Sequence, residues 1–198
     1  MERHVADPYV RKAKALGYRS RAAFKLAEID RTDRLFARGQ RVIDLGAAPG
    51  GWSQVAAEKV GPGGRVIAVD VLEMAPLPGV EIIRGDFTEE AVLRQVERAL
   101  GGDRVDLVLS DLSPNLSGVA AADQARSLEL CELALEFALA HLKPGGSLLV
   151  KAFQGAGFPA FLQRLRRRFE RVVSRKPDAS RSRSSEMYLL ARGPREKR

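Results

Sequence analysis

Four aspartates stand where the chain leaves apolar runs that read as β-strands. Asp44 opens Asp44-Leu45-Gly46-Ala47-Ala48-Pro49-Gly50-Gly51-Trp52, Asp70 closes Arg65-Val66-Ile67-Ala68-Val69-Asp70, Asp86 lies in Gly85-Asp86-Phe87, and Asp111 ends the run that starts at Val105. Glycines in the first motif let the backbone turn tightly and approach a ligand without Cβ clashes. The motif is not a dinucleotide fingerprint, because Ala48 stands where the second Gly of G-x-G-x-x-G belongs, and no P-loop lysine follows. An acid at the end of a second strand can hold a ribose diol, a feature shared by NAD and S-adenosylmethionine sites. Asp86 is placed to accept from an exocyclic amine. Singly, each acid reads as well as a helix cap or turn former. As a set they favour a cationic ligand, and the sulfonium and ammonium groups of S-adenosylmethionine fit where a pyrophosphate would be repelled.

Lys151 directly follows Leu148-Leu149-Val150, so it emerges from a buried strand at the same edge. Lysine is rarely buried without a partner; the alternative is a side chain reaching out to solvent. An amine acting as general base near neutral pH needs its pKa lowered from ~10.4 to ~7–8, by a nearby cation or partial desolvation. Glu186 opens the last apolar run and reaches the same edge if that strand is antiparallel. By pattern alone, Glu186 is an edge residue and Lys25 a solvated helix lysine.

The positioning elements alternate. A helix is expected from near Ser20 to about Leu35, then strands over 41–45, 65–70, 80–84, 105–109 and 147–151, near 171–173, and over 187–190. Helices are expected after the glycine motif, from a Thr88 cap to about Leu100, over roughly 123–142, and from about Phe158. Alternating strands and helices specify an α/β fold, a parallel sheet with helices on both faces. Ligands bind such sheets beyond the carboxyl ends of the strands.

Charge is divided along the 198 residues. Residues 1–41 carry 11 Lys/Arg against 5 Asp/Glu, residues 42–163 carry 9 against 16, and residues 164–198 carry 13 against 4. A basic head and tail around an acidic middle suit a polyanion such as nucleic acid, although solvated surface is the simpler account of either end, and an acidic membrane surface is disfavoured because no amphipathic helix has an aromatic-rich face. The length fits a single domain, 1–198, whose basic segments 1–41 and 164–198 would contribute to RNA binding. No apolar run approaches the ~20 residues that span a bilayer, and no signal peptide is visible. One cysteine, Cys131, forbids an internal disulfide, which suits a reducing, cytoplasmic setting. His4 and His141 are far apart and suggest no metal site; both read as structural or surface groups.

Gly17-Tyr18-Arg19-Ser20-Arg21-Ala22-Ala23-Phe24-Lys25-Leu26, the Asp44–Ser53 stretch, Ser110-Asp111-Leu112-Ser113-Pro114-Asn115-Leu116-Ser117-Gly118 and Arg175-Lys176-Pro177-Asp178-Ala179-Ser180-Arg181 together resemble the RrmJ/FtsJ family of RNA ribose 2′-O-methyltransferases. The likeness runs from about Tyr9 to Ala191. It implies a Rossmann-like methyltransferase fold with a seven-stranded, mostly parallel sheet and an antiparallel last strand. It implies a catalytic tetrad of Lys25, Asp111, Lys151 and Glu186, and S-adenosyl-L-methionine held by Gly50, Trp52, Asp70, Asp86 and Asp111, with no metal. In that scheme Asp111 and Lys25 orient Lys151, and Glu186 holds Lys151 or the ribose. The implied substrate is a uridine ribose of ribosomal RNA within the large subunit, acted on by a monomer. Ser113 departs from the family pattern, where alanine is expected. Arg11, Lys12, Arg19, Arg21, Arg181 and Arg183 are candidate phosphate contacts. A tRNA ribose is the alternative substrate, and a non-catalytic ribosome-assembly factor the alternative class. A base-amine methyltransferase is disfavoured because Asp111-Leu112-Ser113-Pro114-Asn115 lacks the aromatic that stacks a flipped base. An NAD-dependent oxidoreductase is disfavoured by the missing fingerprint.

Overall fold

A computed structural model describes residues 7–114, 117–180 and 184–195. The elements run α1 (Pro8–Ala15), α2 (Ala22–Asp33), β1 (Arg41–Leu45), α3 (Gly51–Val60), β2 (Arg65–Asp70), β3 (Val80–Arg84), α4 (Glu90–Leu100), β4 (Val105–Ser110), α5 (Ala120–His141), β5 (Leu142–Phe153), α6 (Phe158–Arg168), β6 (Phe169–Arg175) and β7 (Glu186–Pro194). They form one seven-stranded sheet in the order β3-β2-β1-β4-β5-β7-β6. β1 to β5 are parallel neighbours, and β7 runs antiparallel to both β5 and β6. The expected α/β sheet with an antiparallel last strand is therefore present.

Side chains alternate across the strands, and the alternation divides the core in two. Val42, Leu107, Leu109, Leu149, Tyr188 and Leu190 pack with α2 and α3. Ile43, Val108, Leu148, Val150 and Leu189 pack on the other face with α4, α5 and α6. The strand order reverses between β1 and β4, both of whose C-terminal ends carry an acid. Such a switch point leaves a crevice for a ligand.

Three local expectations change. α1 was not anticipated, although Asp7-Pro8 carries its signal: Asp7 accepts from the Tyr9 amide and Pro8 starts the helix. Thr88 does not cap α4, whose cap position is Glu89. Instead Asp86 Oδ1 accepts from both the amide and hydroxyl of Thr88, at 2.9 and 2.7 Å. The strand expected over 147–151 begins earlier, at Leu142, and β5 absorbs Pro144-Gly145-Gly146 as a register shift against β4. Among the described residues, no helix is long and apolar enough to cross a membrane. Cys131 is a buried member of α5, as its helical position suggested. His141 stacks on Phe137 and bonds its carbonyl, a structural role, while His4 lies outside the described residues.

Asp44 ties β1 to α3. Its carboxyl is fully buried, takes the Ser53 hydroxyl at 2.6 Å, and leaves Oδ1 without a partner among the described residues. Burial pushes its pKa from 3.8 up to about 7, against the Ser53 bond and with help from the charges of Asp111 and Asp70. The folded state thus binds this proton more tightly than the unfolded chain does. The associated stability is complete below the unfolded pKa and is lost as pH rises through about 7. Asp44→Asn keeps the shape and cannot ionise. Denaturant unfolding across this range should show the variant gaining on the wild type by as much as about 4 kcal/mol as pH rises, at ~1.36 kcal/mol per unit. Parallel stability curves would contradict the assignment.

Candidate active site

The antiparallel pairing of β5 with β7 builds the site. Its register places Lys151 opposite Tyr188 and Phe153 opposite Glu186. Both Lys151 and Tyr188 face the α2/α3 side, so α2 delivers Lys25 to the same place. Lys25 and Lys151 are each only 7% exposed, which demands counter-charge.

Each ammonium has its own acid. Lys151 Nζ lies 3.0 Å from Asp111 Oδ1 and donates to the Asp111 carbonyl at 2.9 Å and to Ser113 Oγ at 2.6 Å. Those contacts occupy all three donors of an ammonium. Lys25 Nζ donates to Glu186 Oε1 at 2.5 Å and to the Tyr188 hydroxyl at 3.1 Å. The structure thus gives Glu186 to Lys25 rather than to Lys151. Burial pushes the Glu186 carboxyl up, but the hydrogen bond and charge of Lys25, with Ser180 and Tyr188, hold it below its ordinary value.

Tyr188 joins the two pairs. Its hydroxyl lies 3.0 Å from Glu186 Oε1 and 3.4 Å from Asp111 Oδ1, and it accepts from Lys25. Burial, then the charges of Asp111 and Glu186, raises the phenol's pKa far above normal, so it stays protonated. With one proton to donate, the phenol at rest serves the nearer Glu186. The tetrad of the family resemblance is therefore one network with a fifth member. The sequence carried a weak signal for it, a tyrosine two residues after Glu186 on the same strand face. Ser113, noted only as a departure from the family pattern, proves to be a ligand of the Lys151 amine.

The acids line the neighbouring strand ends. Asp70 Oδ2 accepts from the Ala48 amide at 2.9 Å and Oδ1 from the Leu72 amide at 2.8 Å, fixing the glycine turn to the loop after β2. Gly46 and Gly50 have φ of 75° and 107°, which side chains rarely adopt. A Cβ on Gly46 would meet the Leu112 backbone at 3.0 Å, and one on Gly50 would meet Arg19 at 3.1 Å. Trp52 is 2% exposed, donates its indole N–H to the Ala22 carbonyl at 2.9 Å and tilts against Tyr188 at 5.6 Å between centroids. Its side chain locks α2 onto α3, so only its backbone can face a cofactor. The carboxylates of Asp70 and Asp111, close enough to Asp44 to raise its pKa, give this crevice negative character that a cationic ligand suits.

The candidate phosphate contacts divide. Arg19 is committed to the carbonyls of Pro49, Ala75 and Pro76, at 3.3, 2.7 and 2.6 Å, so it straps the N-terminal segment across two loops of the crevice. Arg21 pairs with Asp7. Arg11 and Lys12 are exposed, with Lys12 over the Phe24 ring. Arg181 and Arg183 lie outside the described residues.

Comparison with known proteins agrees with this geometry. Residues 18–194 match the FtsJ-like methyltransferase family. Ribosomal RNA large subunit methyltransferase E of Azoarcus sp. is 60% identical over 190 residues, 96% of this chain and 93% of its own length. The protein of the same name from Thiobacillus denitrificans is 59% identical over 194 residues, 98% of this chain and 88% of its own. A Plasmodium falciparum crystal structure described as a ribosomal RNA methyltransferase superimposes with a TM-score of 0.78 at 28% identity, covering 89% of this chain and 98% of its own. The chain is an enzyme that belongs to the FtsJ-like methyltransferase family.

Proposed function

We propose that this enzyme transfers the methyl group of S-adenosylmethionine to a ribose 2′-hydroxyl of large-subunit ribosomal RNA. The observation that carries the reading is the pair of buried lysine–carboxylate contacts, joined through Tyr188 and set beside an acid-lined glycine turn. The names and near-full-length similarity of the relatives support the RNA class. The basic flanking segments support a polyanionic partner.

When bound, S-adenosylmethionine supplies a methyl group on a sulfonium, with a neutral thioether as leaving group. Asp70 and Asp86 would hold its nucleoside. Gly50 gives the backbone room to approach, the Trp52 backbone lies in the first turn of α3, and Asp111 would offer its carboxylate to the positive charge. The Lys151 amine would take the proton of the 2′-hydroxyl and orient the oxygen to accept the methyl group that the bound cofactor supplies. Asp111 and Ser113 orient that amine. Lys25, held by Glu186 and Tyr188, brings a second amine into the network. Positioning of the reacting atoms supplies much of the rate.

The decisive experiment incubates the protein with labelled cofactor and separate pools of large subunits, deproteinised ribosomal RNA and tRNA. Nuclease digestion should return the label as a 2′-O-methylnucleoside from large-subunit RNA; label on a nucleobase, on tRNA alone or on no RNA counts against the reading. Lys151→Ala should lower transfer by about 10²–10⁴-fold, to the edge of detection, with cofactor affinity by calorimetry unchanged. Retained turnover would reject the role of Lys151. Tyr188→Phe keeps the ring against Trp52 and removes only the hydroxyl. It should lower kcat by about 10- to 100-fold, the worth of a hydrogen bond to charged groups, and leave cofactor affinity alone. A variant with wild-type kcat would show that the phenol only packs.

A further inference from the structure

A cavity of about 280 Å³ lies between α5, the end of β5 and the start of α6, on the α5/α6 face of the sheet and reaching Phe153 at the strand end. Pockets for drug-sized ligands run about 300–1,000 Å³, so this one suits a single ring system and not a whole nucleotide or cofactor. Among the described residues no ionised side chain lines it. A phosphate, a sulfonium or an ammonium would find no counter-charge there.

The cavity has a polar edge. Ser127 is 5% exposed, lines the cavity, and its hydroxyl has no partner among the described residues. Gln124 commits its amide nitrogen to the Gln154 carbonyl at 3.1 Å, which leaves the amide oxygen to accept. Phe153 and Phe158 supply flat apolar walls.

It also abuts the reacting amine. Phe153 borders the cavity, and its ring centroid is 5.8 Å from Lys151 Nζ. Cys131, on the cavity wall, donates its thiol to the Lys151 carbonyl at 3.1 Å. In a nucleotide the base is bonded to C1′, the carbon next to the one that carries the 2′-oxygen. A ribose presented to Lys151 therefore brings its base within one ring's reach of Phe153.

We infer that this cavity receives the base of the nucleotide whose 2′-hydroxyl is methylated. Aromatic walls bracket the ring, and Ser127 and Gln124 meet its hydrogen-bonding edge, as enzymes that extrude a nucleotide commonly arrange. The assignment rests on the ribose-methylation reading above. It explains how a chain without an aromatic in Asp111-Leu112-Ser113-Pro114-Asn115 holds an unstacked base, since the aromatic surface comes from the end of β5 and the start of α6.

Two variants and one altered RNA test it. Ser127→Leu fills the cavity and Ser127→Ala removes only the hydroxyl. With the RNA that accepts label from the wild type, KM should rise about 10-fold or more for Ser127→Leu and about 2- to 10-fold for Ser127→Ala. Cofactor affinity and kcat should stay within about twofold. Unchanged KM in both, or a fall in kcat alone, overturns the assignment, the latter because the residue would then only support Lys151. The altered RNA carries an abasic ribose, placed by splinted ligation at the mapped nucleotide, and needs no protein variant. Wild-type enzyme should use it at least about 10-fold less well than intact RNA; equal use overturns the cavity while leaving ribose methylation standing. Absence of transfer to any RNA instead overturns the ribose reading itself.

Discussion

An ammonium group taken out of water must take a carboxylate with it, and two of them are buried at one end of this sheet. Breaking such a pair leaves an uncompensated charge, which costs several kcal/mol. That penalty constrains the rest of the molecule. β7 must run antiparallel to β5 so that Glu186 and Tyr188 arrive at the edge where Lys151 emerges. α2 must lie against the same face so that Lys25 reaches Glu186. Trp52 fixes α2 to α3 through the Ala22 carbonyl, and Ser53 fixes α3 to β1 through Asp44.

The same economy governs the acidic rim. Asp70 spends both carboxylate oxygens on loop amides and Asp86 spends one on Thr88, so the loops around the crevice are set before any ligand arrives. Prepared dipoles and charges need no reorganisation at the moment of reaction. Asp44 is kept largely protonated by burial up to near neutral pH, which relieves repulsion among neighbouring acids. Arg19 closes the arrangement from outside, spanning the glycine turn and the loop after β2 with three carbonyl contacts. A residue that looked like an RNA contact is thus a brace between the basic N-terminal segment and the crevice.

The two faces of the sheet divide the labour. The α2/α3 face holds the network of buried lysines and carboxylates joined by Tyr188. The α5/α6 face holds the cavity, whose lining has no ionised side chain among the described residues. β5 separates them, and its last residue, Phe153, borders the cavity while its ring centroid lies 5.8 Å from the Lys151 amine.

The α/β class, the strand ends and the candidate acids were legible in the sequence, because hydrophobic period and glycine chemistry are local properties of the chain. So were Lys25, Asp111, Lys151 and Glu186 as a group, although through family resemblance rather than spacing. α1 was equally local, in Asp7-Pro8, and was overlooked. What the chain alone could not specify is which acid serves which lysine, that Tyr188 links the pairs, that Ser113 holds the amine, and that the Trp52 side chain is structural. Tyr188 and Glu186 aside, which are neighbours on β7, those partners are separated by 30 to 163 residues along the chain. Only the pairing of β7 with β5 and the packing of α2 bring them within hydrogen-bond distance. Sequence settled which chemical groups were present at the sheet edge, and tertiary structure decided their pairing, because the cost of burying charge depends on what lies a few ångströms away in space.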